Sequence, residues 1–100
     1  MGGVSASLST HVLDTGRGKP AGGVRVELSL DGEPIAVATT DGDGRVDELA
    51  RDLEPGRYTV VFYPPSPFFR RVELEVALED GHYHVPLLIS PYSCASYRGS

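Results

Sequence analysis

Three histidines are the residues of this 100-residue chain best suited to moving protons near neutral pH, and two of them stand one residue apart in His82-Tyr83-His84. On an extended strand alternate side chains leave the same face about 7 Å apart, so His82 and His84 would project together. An unperturbed imidazole titrates near pH 6.5 (~6.5) and can serve as base or acid. The third, His11, sits upstream in Ser9-Thr10-His11-Val12-Leu13-Asp14. The same three rings could alternatively hold zinc, or be structural. No Asp, Glu or Cys stands at a suggestive ligand spacing beside them, so a metal-independent site with no cofactor is expected.

Arg45 directly follows the tight turn Asp41-Gly42-Asp43-Gly44. A turn of that kind can aim a side chain, and a guanidinium is a planar, permanent cation suited to carbonyl edges and developing negative charge. The plain alternative is a solvated arginine at a strand end. The turn itself echoes the start of a calcium loop, but Arg45 stands at the fifth position and Asp52 at the twelfth, so a hairpin turn is the better reading. Gly16-Arg17-Gly18-Lys19-Pro20 lacks the spacing of a phosphate loop and has no helix after it. The lone cysteine, Cys94, has nothing around it that marks a thiolate and reads as a small buried residue.

These residues need a scaffold, and the sequence points to strands. Val24, Val26, Leu28 and Leu30 alternate with Arg25, Glu27 and Ser29, and Val72, Leu74, Val76 and Leu78 alternate with charged neighbours. Period-2 patterning of this kind marks half-buried strands. Weaker runs cover 7–13, 35–40, 45–49, 57–63, 82–89 and 92–98, separated by Gly- and Pro-rich turns. About eight short strands predict a single all-β domain over 1–100, an antiparallel β-sandwich of two sheets. Only the stretch 48–54 could hold a helical turn.

The run 82–89 departs from the alternation. Tyr83, Val85, Leu87 and Ile89 form a core face, but the opposite face carries Pro86 and Leu88 after the two histidines. An outer face that turns apolar calls for a cover, and a second copy of the chain is the expected one. A homo-oligomer with His82 and His84 at or beside the contact follows.

The net charge of −5 argues against nucleic acid or an anionic membrane as partner. One cysteine excludes an internal disulfide. The opening Met-Gly-Gly-Val-Ser-Ala-Ser-Leu-Ser-Thr shows no basic segment followed by an apolar run, and no stretch approaches the roughly 18 apolar residues of a membrane span. A cytoplasmic setting is expected.

Three stretches together resemble the 5-hydroxyisourate hydrolases, transthyretin-related enzymes of purine catabolism. They are residues 8–21, the turn before Arg45, and the end His82-Tyr83-His84-Val85-Pro86 through Tyr97-Arg98-Gly99-Ser100. The resemblance implies a transthyretin-like sandwich assembled as a homotetramer, with sites in a channel between dimers. It implies hydrolysis of 5-hydroxyisourate to 2-oxo-4-hydroxy-4-carboxy-5-ureidoimidazoline. It assigns His11, Arg45, His84 and Ser100 to catalysis, and His11, Arg45, Tyr97 and Arg98 to substrate, with His82 as a neighbour. Either His11 or His84 would be the base, and the tail would bring the hydroxyl and carboxylate of Ser100 to the histidines. Members usually carry a short helix where this chain has Pro64-Pro65-Ser66-Pro67, so a tight extended connection is expected there. A non-catalytic, transthyretin-like carrier that holds a small ligand in the same channel is the competing class.

Overall fold

Arg25–Leu30 and Val72–Leu78 are strands on the pattern their alternation requires, and in the computed structural model, which describes residues 3–99, they belong to the same sheet. Nine strands are described: β1 (Ala6–Asp14), β2 (Lys19–Pro20), β3 (Arg25–Leu30), β4 (Glu33–Thr39), β5 (Arg45–Leu53), β6 (Gly56–Tyr63), β7 (Val72–Leu78), β8 (Gly81–Ile89) and β9 (Cys94–Ser96). One sheet runs β4-β3-β6-β7. The other has β1 at its centre, with β8 and then β9 on one side and β5 and β2 on the other. The two close on Leu8, Val12, Val26, Leu28, Val60, Phe62, Leu87 and Ile89, all essentially without solvent contact.

One pairing departs from the expected antiparallel arrangement. β1 and β8 run parallel over nine residue pairs, from Ala6–Gly81 to Asp14–Ile89. This brings Ser7 level with His82, Ser9 level with His84, and His11 level with Pro86. On the far side of β1, His11 faces Arg45 of antiparallel β5.

The helical turn entertained for 48–54 is absent, and that stretch belongs to β5. Its buried residues Val46, Leu49 and Leu53 are spaced by three and four, a helix-like interval. Two register shifts against β1 accommodate the spacing: Thr10, Leu8 and Ala6 pair with Val46, Ala50 and Leu53. Bulges insert extra residues on one strand, and Asp52, inside β5 between the residues paired with Leu8 and Ala6, takes a φ of 56° there. The connection between β6 and β7 is irregular, as its prolines demand. Ser66 holds it: its hydroxyl accepts from the amides of Phe68 and Phe69 and donates to the carbonyl of Pro91 at 2.9 Å.

Candidate active site

Alternation fixes which side chains share a face. On β1, Ala6, Leu8, Thr10 and Val12 turn to the core, leaving Ser7, Ser9 and His11 outward. On β8, Val85, Leu87 and Ile89 are buried with Tyr83 packed against them, leaving His82 and His84 on the same outer face as Ser7 and Ser9. Residues directly opposite across strands share a face, so Arg45 joins His11 there. Three segments far apart in sequence thus present His11, Arg45, His82 and His84 on one patch.

The turn before Arg45 is built for this role. The Asp41 carboxylate accepts the amides of Asp43 and Arg45, each at 2.9 Å, and the Gly44 amide donates to the Asp41 carbonyl. Gly44 has a φ of 74° and passes against β1, where a Cβ would lie 2.4 Å from the Val12 carbonyl oxygen. Only glycine fits. The turn also holds His11, whose Nε2 lies 2.9 Å from the Asp43 carbonyl oxygen. A carbonyl can only accept, so Nε2 carries the hydrogen and Nδ1 is the free nitrogen of the neutral ring. Arg45 is exposed and, among the described residues, has no carboxylate partner.

His84 is half-buried. Its Nδ1 lies 2.8 Å from the Ser9 hydroxyl, and its Nε2 has no hydrogen bond among the described residues. Burial is the main cause that lowers its pKa below the ordinary 6.5, because desolvation penalises the charged ring; the neighbouring His11, Arg45 and His82 push the same way. The ring is therefore held in its neutral, proton-accepting form at neutral pH.

The tail comes back to this ring. Beyond β9 the Gly99 amide donates to the His84 carbonyl at 2.7 Å. This pair continues the register of Leu87–Ser96, three residues on along each strand, so Tyr97 falls level with Pro86 and Arg98 level with Val85. Alternation from that register puts Tyr97 on the face of Pro86 and His84; it is exposed and also borders the groove beside Arg98. Arg98 is on the opposite side: its guanidinium lies 4.4 Å from the centre of the Tyr83 ring, in a groove it shares with Leu74, Val76 and Leu78 of β7. The structure does not bring Arg98 to the patch, because strand alternation sends neighbouring residues to opposite faces. Ser100 lies outside the described residues. Cys94, expected to be buried, is exposed on edge strand β9.

Two residues escaped the sequence reading. Ser7 and Ser9 bond both histidines of β8, and the parallel pairing that puts them there leaves no signature in the sequence. Their period-2 spacing with His11 was the available signal. Among the described residues no group of three or more His, Cys, Asp or Glu is arranged to hold a metal ion.

Against this geometry the likenesses to known proteins can be set. The model of the HIUase/Transthyretin family matches residues 8–99. The chain is 42% identical over 113 residues to the 5-hydroxyisourate hydrolase of Deinococcus radiodurans, covering 93% of this chain and 95% of that one. It matches the solved structure of Klebsiella pneumoniae 5-hydroxyisourate hydrolase with a TM-score of 0.88 and 35% identity, over 95% of this chain and 99% of the other. Sea bream transthyretin, solved in complex with thyroxine, matches with a TM-score of 0.81 and 28% identity, over 92% and 93%.

Proposed function

The chain belongs to the HIUase/Transthyretin family, and from that membership we propose that it hydrolyses 5-hydroxyisourate to 2-oxo-4-hydroxy-4-carboxy-5-ureidoimidazoline in urate breakdown. The observation that carries the reading to particular residues is the register that sets His11, Arg45 and His84 side by side on one sheet face.

Opening a cyclic acylurea needs a base for water, a cation for the oxyanion and a proton for the departing nitrogen. His84 is the base: it is held neutral, and its Nε2 is available to take a proton from water. Arg45 binds the carbonyl edge and carries the negative charge as the tetrahedral intermediate forms. His11, fixed by the Asp43 carbonyl, presents Nδ1 to orient the substrate. Tyr97 closes the patch from the tail. Protonated His84 then returns its proton to the nitrogen as the C–N bond breaks.

The same family membership supports a homotetramer, with the histidine face covered by another copy; light scattering that found only monomer would end that part of the reading. A cytoplasmic setting suits the exposed, unpaired thiol of Cys94. Among the described residues no helix is long and apolar enough to cross a membrane.

The thyroxine complex of the sea bream structure shows that this fold also serves a binder. Following the ultraviolet absorbance of freshly made 5-hydroxyisourate separates the two. An enzyme accelerates its loss, and deleting 97–100 removes most of the acceleration; a binder leaves the decay unchanged or slows it.

A further inference from the structure

His82 is absent from the reaction above, yet it is tied to the base by an unbroken line of hydrogen bonds. Ser7 Oγ lies 2.7 Å from His82 Nδ1, His82 Nε2 lies 2.9 Å from Ser9 Oγ, and Ser9 Oγ lies 2.8 Å from His84 Nδ1. The parallel register makes the line, since each serine of β1 stands level with a histidine of β8. Ser9 is buried and bonds both rings; His82 is exposed.

The Ser9 hydroxyl has one hydrogen, so it can donate to at most one of the two ring nitrogens it touches, and it accepts from whichever ring nitrogen carries a hydrogen. The states of the two rings are therefore linked. When His82 is neutral, Ser9 can donate to His82 Nε2 and accept from His84 Nδ1–H. That setting leaves His84 Nε2 bare, as the base requires. When His82 is protonated, both its nitrogens are donors. Its Nε2–H then donates to Ser9; accepting from both rings would leave the hydrogen of this buried hydroxyl without a partner among the described residues, so Ser9 turns it to His84 Nδ1. A neutral His84 in that setting carries its hydrogen on Nε2 and cannot take a proton from water there.

We propose that His82 is a positioning residue that sets, through the single hydrogen of Ser9, which nitrogen of His84 is bare, so that protonating His82 switches the base off without charging it. The proposal rests on the reading of His84 as the base. No atom is gained or lost by His84 in the switch; one hydrogen moves from its Nδ1 to its Nε2 while the Ser9 hydrogen turns from His82 to His84. The charged and titratable groups facing His84 are His11 from β1, Arg45 from β5 and His82 from its own strand, with Tyr97 level with Pro86 on the tail. Near His82, the carboxylate of Asp80 is engaged by the Ser5 amide at 3.2 Å.

The test compares the full-length wild type with S9A, S9T and H82F, reading kcat and KM for 5-hydroxyisourate across pH. The acid side of the wild-type kcat/KM profile should be steeper by one proton than that of S9A or H82F. In S9A kcat should fall at least about 10-fold, and by no more than the roughly 10,000-fold that a positioned base can contribute, with KM within about twofold. S9T, which restores the hydroxyl, should recover the steepness and most of the rate. Profiles of equal steepness, or a loss confined to KM, overturn the proposal. If the wild type does not accelerate the loss of 5-hydroxyisourate, the functional reading fails by itself. Nitrogen-15 spectra of the same proteins then decide the linkage: acidification moves the His84 hydrogen from Nδ1 to Nε2 in the wild type and not in S9A, and identical behaviour in both refutes it.

Discussion

Gly99 lies against the ring of His84 so closely that a Cβ on it would stand 2.6 Å from the ring's Cδ2 and 3.2 Å from Cβ and Cγ. The Gly99 amide donates to the His84 carbonyl at 2.7 Å, which fixes the approach. The absence of a side chain at position 99 is therefore what lets the tail and the His84 ring occupy the same corner.

Gly99→Ala is the direct consequence to measure. Real Cβ atoms do not sit that close, so either the ring or the tail must move. We expect kcat/KM to drop about 10- to 100-fold, since an ångström of misplacement can cost about 100-fold. Unfolding in urea should shift by less than about 0.5 kcal/mol, because the tail is an exposed edge. Unchanged turnover would show that the tail does not position the base.

The pH dependence follows from the depressed pKa of His84. Burial and then the neighbouring His11, Arg45 and His82 disfavour its charged form, so the ring stays neutral to pH values below 6.5. Arg45→Gln removes one of those cations. The acid limb of kcat/KM should move to higher pH, while the maximum falls about 100- to 1,000-fold through loss of oxyanion stabilisation. Stability has the matching sign. The unfolded chain binds the His84 proton more readily than the folded one, so this group lowers stability as pH falls from 6.5 through the folded value, and makes no such contribution above 6.5. Urea midpoints of wild type and His84→Gln across that range should converge at neutral pH once corrected for the constant offset.

Gly44→Ala tests the turn that aims Arg45. The backbone there has a φ of 74°, and the new methyl would lie 2.4 Å from the Val12 carbonyl oxygen. We expect a loss of about 1–3 kcal/mol, from left-handed strain and the forced retreat of β1. Activity should fall further than stability explains, because His11 and Arg45 are both held by this turn.

A control comes from the other sheet. Asp31 and Gly32 join β3 to β4 with φ of 52° and 82°. Asp31→Val should cost about 1–2 kcal/mol in urea unfolding, the penalty of a branched residue in left-handed conformation, and leave kcat/KM unaltered. A change in turnover there would mean that the two sheets communicate.

Much of this was readable from residue order alone. The alternation in 24–30 and 72–78 reports directly which side of each strand meets the core, because burial and pleat share one period. The Asp-Gly turns were legible because few residues tolerate left-handed backbone. The strand at 45–53 was legible only at its start, 45–49, since its bulges give buried residues a spacing of three and four that belongs by habit to helices. His11, Arg45 and His84 could be named from motifs, but Ser7 and Ser9 depended on a parallel pairing between distant segments, and the placement of Arg98 on the antiparallel register of the tail against β8. Local pattern contains no record of which strand lies next to which.

That pairing also bears on when catalytic power arises. Ser9 and His84 touch although 75 residues separate them. A chain still emerging from the ribosome would hold His11 and Arg45 together well before His84 had been made. Contacts of such long range form slowly, because the loop must close before it is rewarded. The patch of histidines is thus completed only when β8 docks on β1, a late step for so long-range a pairing.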